Sequence, residues 1–518
     1  MSRRRNWRVA GGLVLLVWAA VLAWHVRREY FRPESVRLAE ASANLIPSAA
    51  FYSVKLAGTP IGYAASRIDT VAEGFILDDD LRLRVAAFGS ELPAAARTEI
   101  RLGNSLELQD FNFTLRSDFG DFTVAGVMEG DTLLDLRITA GEDEQALALP
   151  TDGQRIVLPQ VMPVHFALGG EPEPGEVYSF EVFDPSIMER QRVDMELLGK
   201  ETLLVPDSAD YDDELEKWVP ARYDTIDTWH VRQSFGGVEL ESWLDPDGMI
   251  VRATSPLGYS IERTAFEIAW NEYRALESSG AAAAAAAPDI IERSAISVGT
   301  ELPRGDRLAV LAVRLRNVDL TGFDLDGSSQ ELRGDTLVVR RMSRPLGAAY
   351  RLPADSDAWP AELQSTPLIQ ADDPEVAGVA ARIIGETRDP ALAAARLNDW
   401  VYGNLAKEIT LSLPSARQVL DAGRGDCNEH TVLYVALARA VGLPARPVAG
   451  LVYVHGRFYY HAWPEVWLDD WLPVDPTLNQ FPADASHLRF VVGGLARQVE
   501  LVRLIGRLEL DVVKLEER

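Results

Sequence analysis

Three residues in the last fifth of the chain have types that could do chemistry together: Cys427, His461 and Asp475. Cys427 is the sole cysteine, so it has no intrachain disulfide partner and no multi-cysteine zinc site to join. It opens the run C-N-E-H-T-V-L-Y-V-A-L-A-R-A-V (427–441), with Asp426 placed as an N-cap and Gly442 and Pro444 as stop signals. Apolar residues nearly encircle that run, which predicts a buried helix with Cys427 in its first turn. Unpaired backbone N–H groups and the helix dipole favour a thiolate there. Taken alone, the thiol reads equally well as a small buried apolar side chain. The segment F-Y-Y-H-A-W-P-E-V-W (458–467) then reads as a strand that puts His461, Trp463, Glu465 and Trp467 on one face. Asp469-Asp470 makes a turn, and Trp471–Val474 return toward Asp475. On adjacent hairpin strands, imidazole and carboxylate can meet. Singly, His461 reads as a half-buried core histidine and Asp475 as a turn starter before Pro476. In this order the three read as nucleophile, base and orienting acid of thiol-dependent acyl transfer.

Neighbouring residues carry weaker signals. His430 lies one turn after Cys427 and reads as a supporting residue. Glu429 has Arg439 or Arg446 as potential ion-pair partners. Trp463 and Trp467 either wall the site or fill the hairpin core. The N–H of Cys427 is one plausible oxyanion donor; a second is not legible. Metal ligation by Cys427 and His430 would need two more ligands, which no H-E-x-x-H or paired cysteine supplies. No P-loop or dinucleotide fingerprint precedes a helix here. Neither a metal nor a cofactor is therefore expected.

The motifs G-x-C followed by E-H-T, L-A-R-A-x-G-L-P-A-R, H-A-W-x-E-V and W-x-x-x-D-P-T occur in this order between 425 and 477. On them, residues 370–480 resemble the transglutaminase-like (papain-like cysteine) superfamily, in a form resembling bacterial membrane-anchored members. The resemblance implies an α+β papain-like domain with Cys427 as nucleophile, His461 as its base and Asp475 orienting the histidine. It implies a peptide or protein amide as substrate, with hydrolysis slightly ahead of transfer to an amine. Animal members use an indole as an oxyanion donor; Trp400 could serve so, or be core. The rival reading is a non-catalytic scaffold of this fold that binds envelope peptide or protein.

The 518 residues must supply elements that position these groups, and they exceed one ordinary core. Residues 1–34 carry Arg3, Arg4, Arg5 and Arg8, then an apolar run from Val9 to Val26. Eighteen residues at ~1.5 Å each span roughly 27 Å, which predicts a single-pass membrane anchor with the tail cytoplasmic and the remainder outside, in a periplasmic setting. A cleaved signal peptide with Val21 and Ala23 before the cut is the competing reading. Residues 48–275 alternate in short runs between turn signals, which predicts a β-rich antiparallel domain. Within it, the acid-dense Pro206–Glu216 reads as a solvated loop, with a calcium site as the lesser reading because the ligand spacing is irregular. Residues 276–288 contain seven consecutive alanines and read as a linker, open to being briefly helical, and 289–352 as a small β module. Residues 370–518 form the last domain, with Asp-Pro helix starts at 373 and 389 and strands expected after 487. The whole is a multidomain chain: transmembrane helix, β-rich domain, β module and α+β domain. Its net charge of −27 argues against a nucleic-acid partner, since no surplus of cations can replace phosphate counterions.

Overall fold

The computed structural model describes residues 34–517 apart from 88–89, 119, 142, 171, 236, 287–288, 304–306, 344–347, 411 and 414. The expected membrane span, Val9 to Val26, lies outside the described residues. Among the described residues, no helix is long and apolar enough to cross a membrane.

A 14-stranded antiparallel sheet fills most of the first half. Eight strands, from Ser48–Leu56 to Asp143–Pro150, meander outward from the first. Six more, from Val177–Asp184 to Tyr259–Thr264, meander back until the last pairs with the first. Alternation buries one face: Ile100, Val124, Leu134, Phe183, Met195 and Val231 belong to one core. The short helix Met162–Leu168 is sunk in that core and carries a buried His165, whose Nε2 lies 3.0 Å from the Leu106 carbonyl. Burial pushes His165 down to about 4, so it is neutral at physiological pH.

Two expectations are corrected in this half, the loop at 206–216 and the boundary at 275. Pro206–Glu216 is not a solvated loop: its first seven residues belong to the strand Glu189–Asp212, which pairs with Lys217–Phe235 out to the hairpin tip. Both faces of that tip are solvated, so acidic residues replace the usual alternation. The alanine run is helical, as the linker reading allowed. It continues the helix Phe266–Ala286, because alanine is the strongest helix former and aromatic packing nucleates the first turns. Phe266 packs on Phe51 at 5.0 Å between ring centroids, and Trp270 on Tyr63 at 5.3 Å. The β-domain's last helix thus extends past the expected boundary at 275.

Residues 289–352 do not close on themselves. Their strands Leu308–Arg316, Gln330–Arg333 and Thr336–Arg340 need the C-terminal strand Glu509–Glu517, which pairs with Leu308–Arg316 to complete a four-stranded sheet. Their first strand, Ile296–Ser297, adds instead to the edge of the sheet that carries His461. One core runs from Leu311 and Leu337 through Leu451 and Phe458 to Leu504, so module and domain fold as a unit. Of the segment expected as strand after 487, Leu488–Val492 joins the His461 sheet, while Val499–Leu504 is a 3₁₀ turn that buries Leu501 and Leu504.

The remaining helices start where the sequence marks them. Asp373 and Asp389 each accept two backbone N–H bonds ahead of the prolines that open Pro374–Ile384 and Pro390–Asn404. Each such cap contributes about 1 kcal/mol. Both helices pack against the central helix Cys427–Ala440, in which every residue from Leu433 to Ala438 is fully buried.

Candidate active site

Cys427 is the first residue of the central helix. Asp426 caps it, accepting from the Asn428 N–H, while Glu429 reaches back to the Asp426 N–H at 2.8 Å. Gly425 has room for this return because a Cβ there would lie 2.3 Å from the Cβ of Glu429. The glycine before the capping aspartate is therefore a packing requirement. Glu429 also accepts from Thr410 and Ser412, so it does not pair with Arg439 or Arg446. Arg439 donates to the Ala445 and Gln364 carbonyls instead.

His461 sits on the strand Arg457–Trp467, directly across from Gly450 of Ala445–Val454. Its Nε2 lies 2.8 Å from Asp475 Oδ2. Its side chain is also hydrogen-bonded to Cys427, and since Nε2 is committed to Asp475, Nδ1 is the nitrogen that serves the thiol. The Ala462 N–H also bonds to Cys427. Asp475 is fully buried; its other oxygen accepts from the Thr477 and Leu478 N–H groups at 2.7 and 2.9 Å. Cys427, His461 and Asp475 are thus brought together in that order.

A fourth residue completes the group. His487 Nε2 lies 3.1 Å from the same Asp475 oxygen, and its Nδ1 faces Asp484, which is itself held by Ser486 and Gln480. The strand Leu488–Val492 delivers His487 by pairing with Ala445–Val454 on the side away from His461. Gly450 permits that close pairing, since a Cβ there would meet the Leu488 carbonyl oxygen at 1.9 Å. Trp463 lies over His461 at 6.0 Å between centroids and presents its face or edge to His487 at 5.1 Å, locking both rings. The sequence reading missed His487, which stands twelve residues past Asp475 and contacts it only through a third strand. The local signal was the D-A-S-H turn just before that strand.

The electrostatics follow from these partners. Burial alone would push Asp475 up, but the two imidazoles outweigh it and hold the carboxyl below the usual range. Burial pulls His461 down, yet the charge and hydrogen bond of Asp475 lift it to about 9. His487 is likewise lifted to about 10, by Asp475 and Asp484 against burial. Burial and then Asp426 push the Cys427 thiol up, and His461 pulls it back. Asp426 is itself held up by burial and by Glu429, and a neutral Asp426 would no longer repel the thiolate. Thiol and imidazole titrate as one pair. The nucleophile forms when the thiol–imidazolium state loses one proton, with the remaining proton kept on His461 by Asp475. The ligating atoms of His461, Asp475 and His487 lie within 4.8 Å of one another, but both histidines are already committed through Nε2 to one carboxylate oxygen.

The other expected residues fall as follows. His430 donates from Nδ1 to the Asp426 carbonyl at 2.7 Å and is buried, a supporting part of the helix start. Trp400 packs against the helical core. Trp467 packs tilted against Trp359 and edge-on against Trp471, and of the two tryptophans Trp463 is the one beside the histidine. Glu465 is buried behind them between Arg489 and Arg446 at 2.9 and 2.6 Å.

The family model of the transglutaminase-like superfamily matches residues 377–476, which include Cys427, His461 and Asp475. Those residues form a transglutaminase-like domain. His487 lies beyond the matched stretch. No curated protein matches the chain. Among solved structures, a candidate cysteine protease from Cytophaga hutchinsonii is 15% identical, covers 41% of this chain and 88% of its own, and has a TM-score of 0.27. A β-barrel-like protein of unknown function from Brucella abortus is 16% identical, covers 42% and 94%, and has a TM-score of 0.30. A candidate protease from Parabacteroides distasonis is 9% identical, covers 57% and 65%, and has a TM-score of 0.18.

Proposed function

We propose that this protein is a cysteine-dependent enzyme that breaks peptide or protein amide bonds through Cys427, His461 and Asp475. The observation that carries the reading is the order of contacts: a thiol at a helix N-terminus, hydrogen-bonded to an imidazole whose other nitrogen is fixed by a buried carboxylate. The Cys427 sulfur attacks the carbonyl carbon. His461, already protonated, gives its proton to the leaving amine, and a thioester remains. His461, now neutral, takes a proton from water or from a second amine as that nucleophile attacks the thioester, and the sulfur leaves as thiolate. Asp475 fixes the ring orientation and stabilises the imidazolium. The Cys427 N–H, in the first turn and without an intrahelical acceptor, stabilises the developing oxyanion.

The apolar segment before residue 34 would anchor this domain to a membrane with the site on the extracytoplasmic side. Envelope peptides and proteins are then the amides within reach, and water is the favoured acceptor. The test is iodoacetamide labelling of the full chain against His461→Ala, followed by mass spectrometry with a glutamine-containing peptide and a primary amine. Faster labelling of the wild type and a Cys427 acyl adduct support the enzyme. Free acid as product selects hydrolysis, and incorporated amine selects transfer. Equal, slow labelling with no adduct would leave a binding scaffold of the same fold.

A further inference from the structure

The sequence Asp78-Asp79-Asp80 lies within the strand Gly74–Ala87, so its three carboxylates alternate between faces. Asp78 and Asp80 point outward and pair with Arg97 and Arg82, each at 2.9 Å. Asp79 points inward between Leu77 and Leu81. Its register neighbours are Ser66 on one adjoining strand, which hydrogen-bonds to it, and Thr98 on the other. Gln160 reaches over from the segment before the buried helix and donates to the Thr98 hydroxyl at 3.3 Å. Together they make a polar island on an apolar wall.

That island lines a cavity of about 420 Å³ between the sheet and the segments around Pro163, Asp184 and Met249. Its volume falls in the range of small-molecule sites. Two buried acceptors from residues lining it have no hydrogen-bond partner: Asp79 Oδ1 and Gln160 Oε1. Among the described residues, no guanidinium or ammonium pairs with Asp79. The charges around it are Asp78 and Asp80 on its own strand, Asp184 across the cavity, and the Arg263–Asp245 pair beside Tyr52. Arg263 is committed to Asp245 at 2.9 Å. A buried carboxylate without a cation is costly, and an acceptor pair without a donor more so.

We infer that this cavity binds a small apolar amine, its ammonium paired with Asp79 and hydrogen-bonded to Gln160, its hydrocarbon part lying against Leu77, Leu81, Phe113 and Ile261. An ammonium supplies what the site lacks: a positive charge and donors for two acceptors. An alcohol supplies one donor and no charge, and a carboxylate would be repelled. Burial pushes Asp79 up to about 6, so the site is anionic at neutral pH and loses its charge as the pH falls through that value. The site stands apart from the thiol chemistry and does not rest on it.

The test is calorimetric titration of the full-length protein with hexylamine, hexanol and hexanoate. Hexylamine should bind one to one near neutral pH. Hexanol should bind at least about tenfold more weakly, hexanoate not at all, and hexylamine itself should weaken by about pH 5. Asp79→Asn and Asp79→Leu should each lose about tenfold or more in hexylamine affinity, while Asp78→Asn, on the opposite face, and Cys427→Ala should leave it unchanged. Absence of hexylamine binding, equal binding of hexanol, or undiminished binding by a folded Asp79→Asn would each overturn the inference.

Discussion

Asp475 and Asp79 are both taken out of water, and their surroundings push them in opposite directions. Asp475 lies between His461 and His487 with two backbone N–H groups on its second oxygen, and it is held below the usual carboxylate range. Asp79 has Ser66 and Thr98 beside it and no cation, and it rises to about 6. Burial is common to both; the difference is the partner. Around Asp475 the fold supplies its own counter-charge: two carboxylates, Asp475 and Asp484, face two imidazoliums, and the cluster is neutral overall. Around Asp79 the fold leaves the counter-charge to be brought from outside. A completed polar cluster serves to position a reacting group, and an incomplete one serves to receive a ligand.

Breaking the completed cluster should have the largest consequences. Cys427→Ala should abolish thiol labelling and amide cleavage. His461→Ala and Asp475→Ala should each lower kcat by about 10³–10⁴ on any amide substrate that the wild type turns over. Asp475→Ala should also cost about 3–5 kcal/mol of stability, because buried His461 loses its counter-ion and His487 keeps only Asp484. Urea unfolding followed by tryptophan fluorescence would measure that. A loss below about 1 kcal/mol would mean that the imidazoles are neutral or solvated and that the cluster is not what the geometry shows.

How much of this was readable in advance depended on range in sequence. Asp426, Asp373 and Asp389 could be read as caps because a cap acts within three residues. Cys427, His461 and Asp475 could be read together because a helix start and a single hairpin carry them. His487 could not, since its contact with Asp475 exists only once Leu488–Val492 has paired with Ala445–Val454. The strand Glu509–Glu517 shows the same limit: its partner, Leu308–Arg316, lies about two hundred residues earlier, and no local pattern announces that pairing. Composition misled at Pro206–Glu216, whose acids resembled a loop although they sit on a long, two-sided solvated hairpin; the alanines after Gly280 allowed a helix, but not that it begins at Phe266. The Asp79 cavity left no trace at all, since one acid in a triplet is distinguishable from its neighbours only by the face it occupies.

His487 offers a smaller, sharper test of the completed cluster. Its folded pKa is raised to about 10, so its contribution to stability is fully present below its unfolded value near ~6.5 and is lost as the pH rises through about 10. The wild type should therefore lose stability between these limits, by up to about 1.4 kcal/mol per pH unit for each histidine so held. His487→Gln keeps a donor toward Asp475 but no charge, and should flatten part of that slope. It should also move the alkaline rise of Cys427 labelling to higher pH. Without a second imidazolium 5.9 Å from His461, the thiol–imidazolium pair loses a nearby positive charge and gives up its first proton at higher pH. An unchanged labelling profile in a folded His487→Gln would reduce His487 to packing.

The smallest effect belongs to the incomplete cluster, and it has the opposite sign. Asp79→Leu should stabilise the protein in the absence of amine, by about 1–3 kcal/mol near neutral pH, because it replaces a carboxylate without a counter-charge by a side chain suited to Leu77, Leu81 and Phe113. The pH dependence identifies the cause. A carboxyl whose folded pKa is raised costs nothing while it is protonated in both states, below its unfolded value near ~3.9. The cost grows as the pH rises toward about 6 and is constant above that. The advantage of Asp79→Leu should therefore be fully developed at about pH 7.5 and much reduced at about pH 4.5, with urea midpoints at the two values as the measurement. An equal advantage at both would assign the gain to packing alone and remove the charge from the account. A loss of stability at both would show that the cavity already satisfies Asp79, and the contrast with Asp475 would fail.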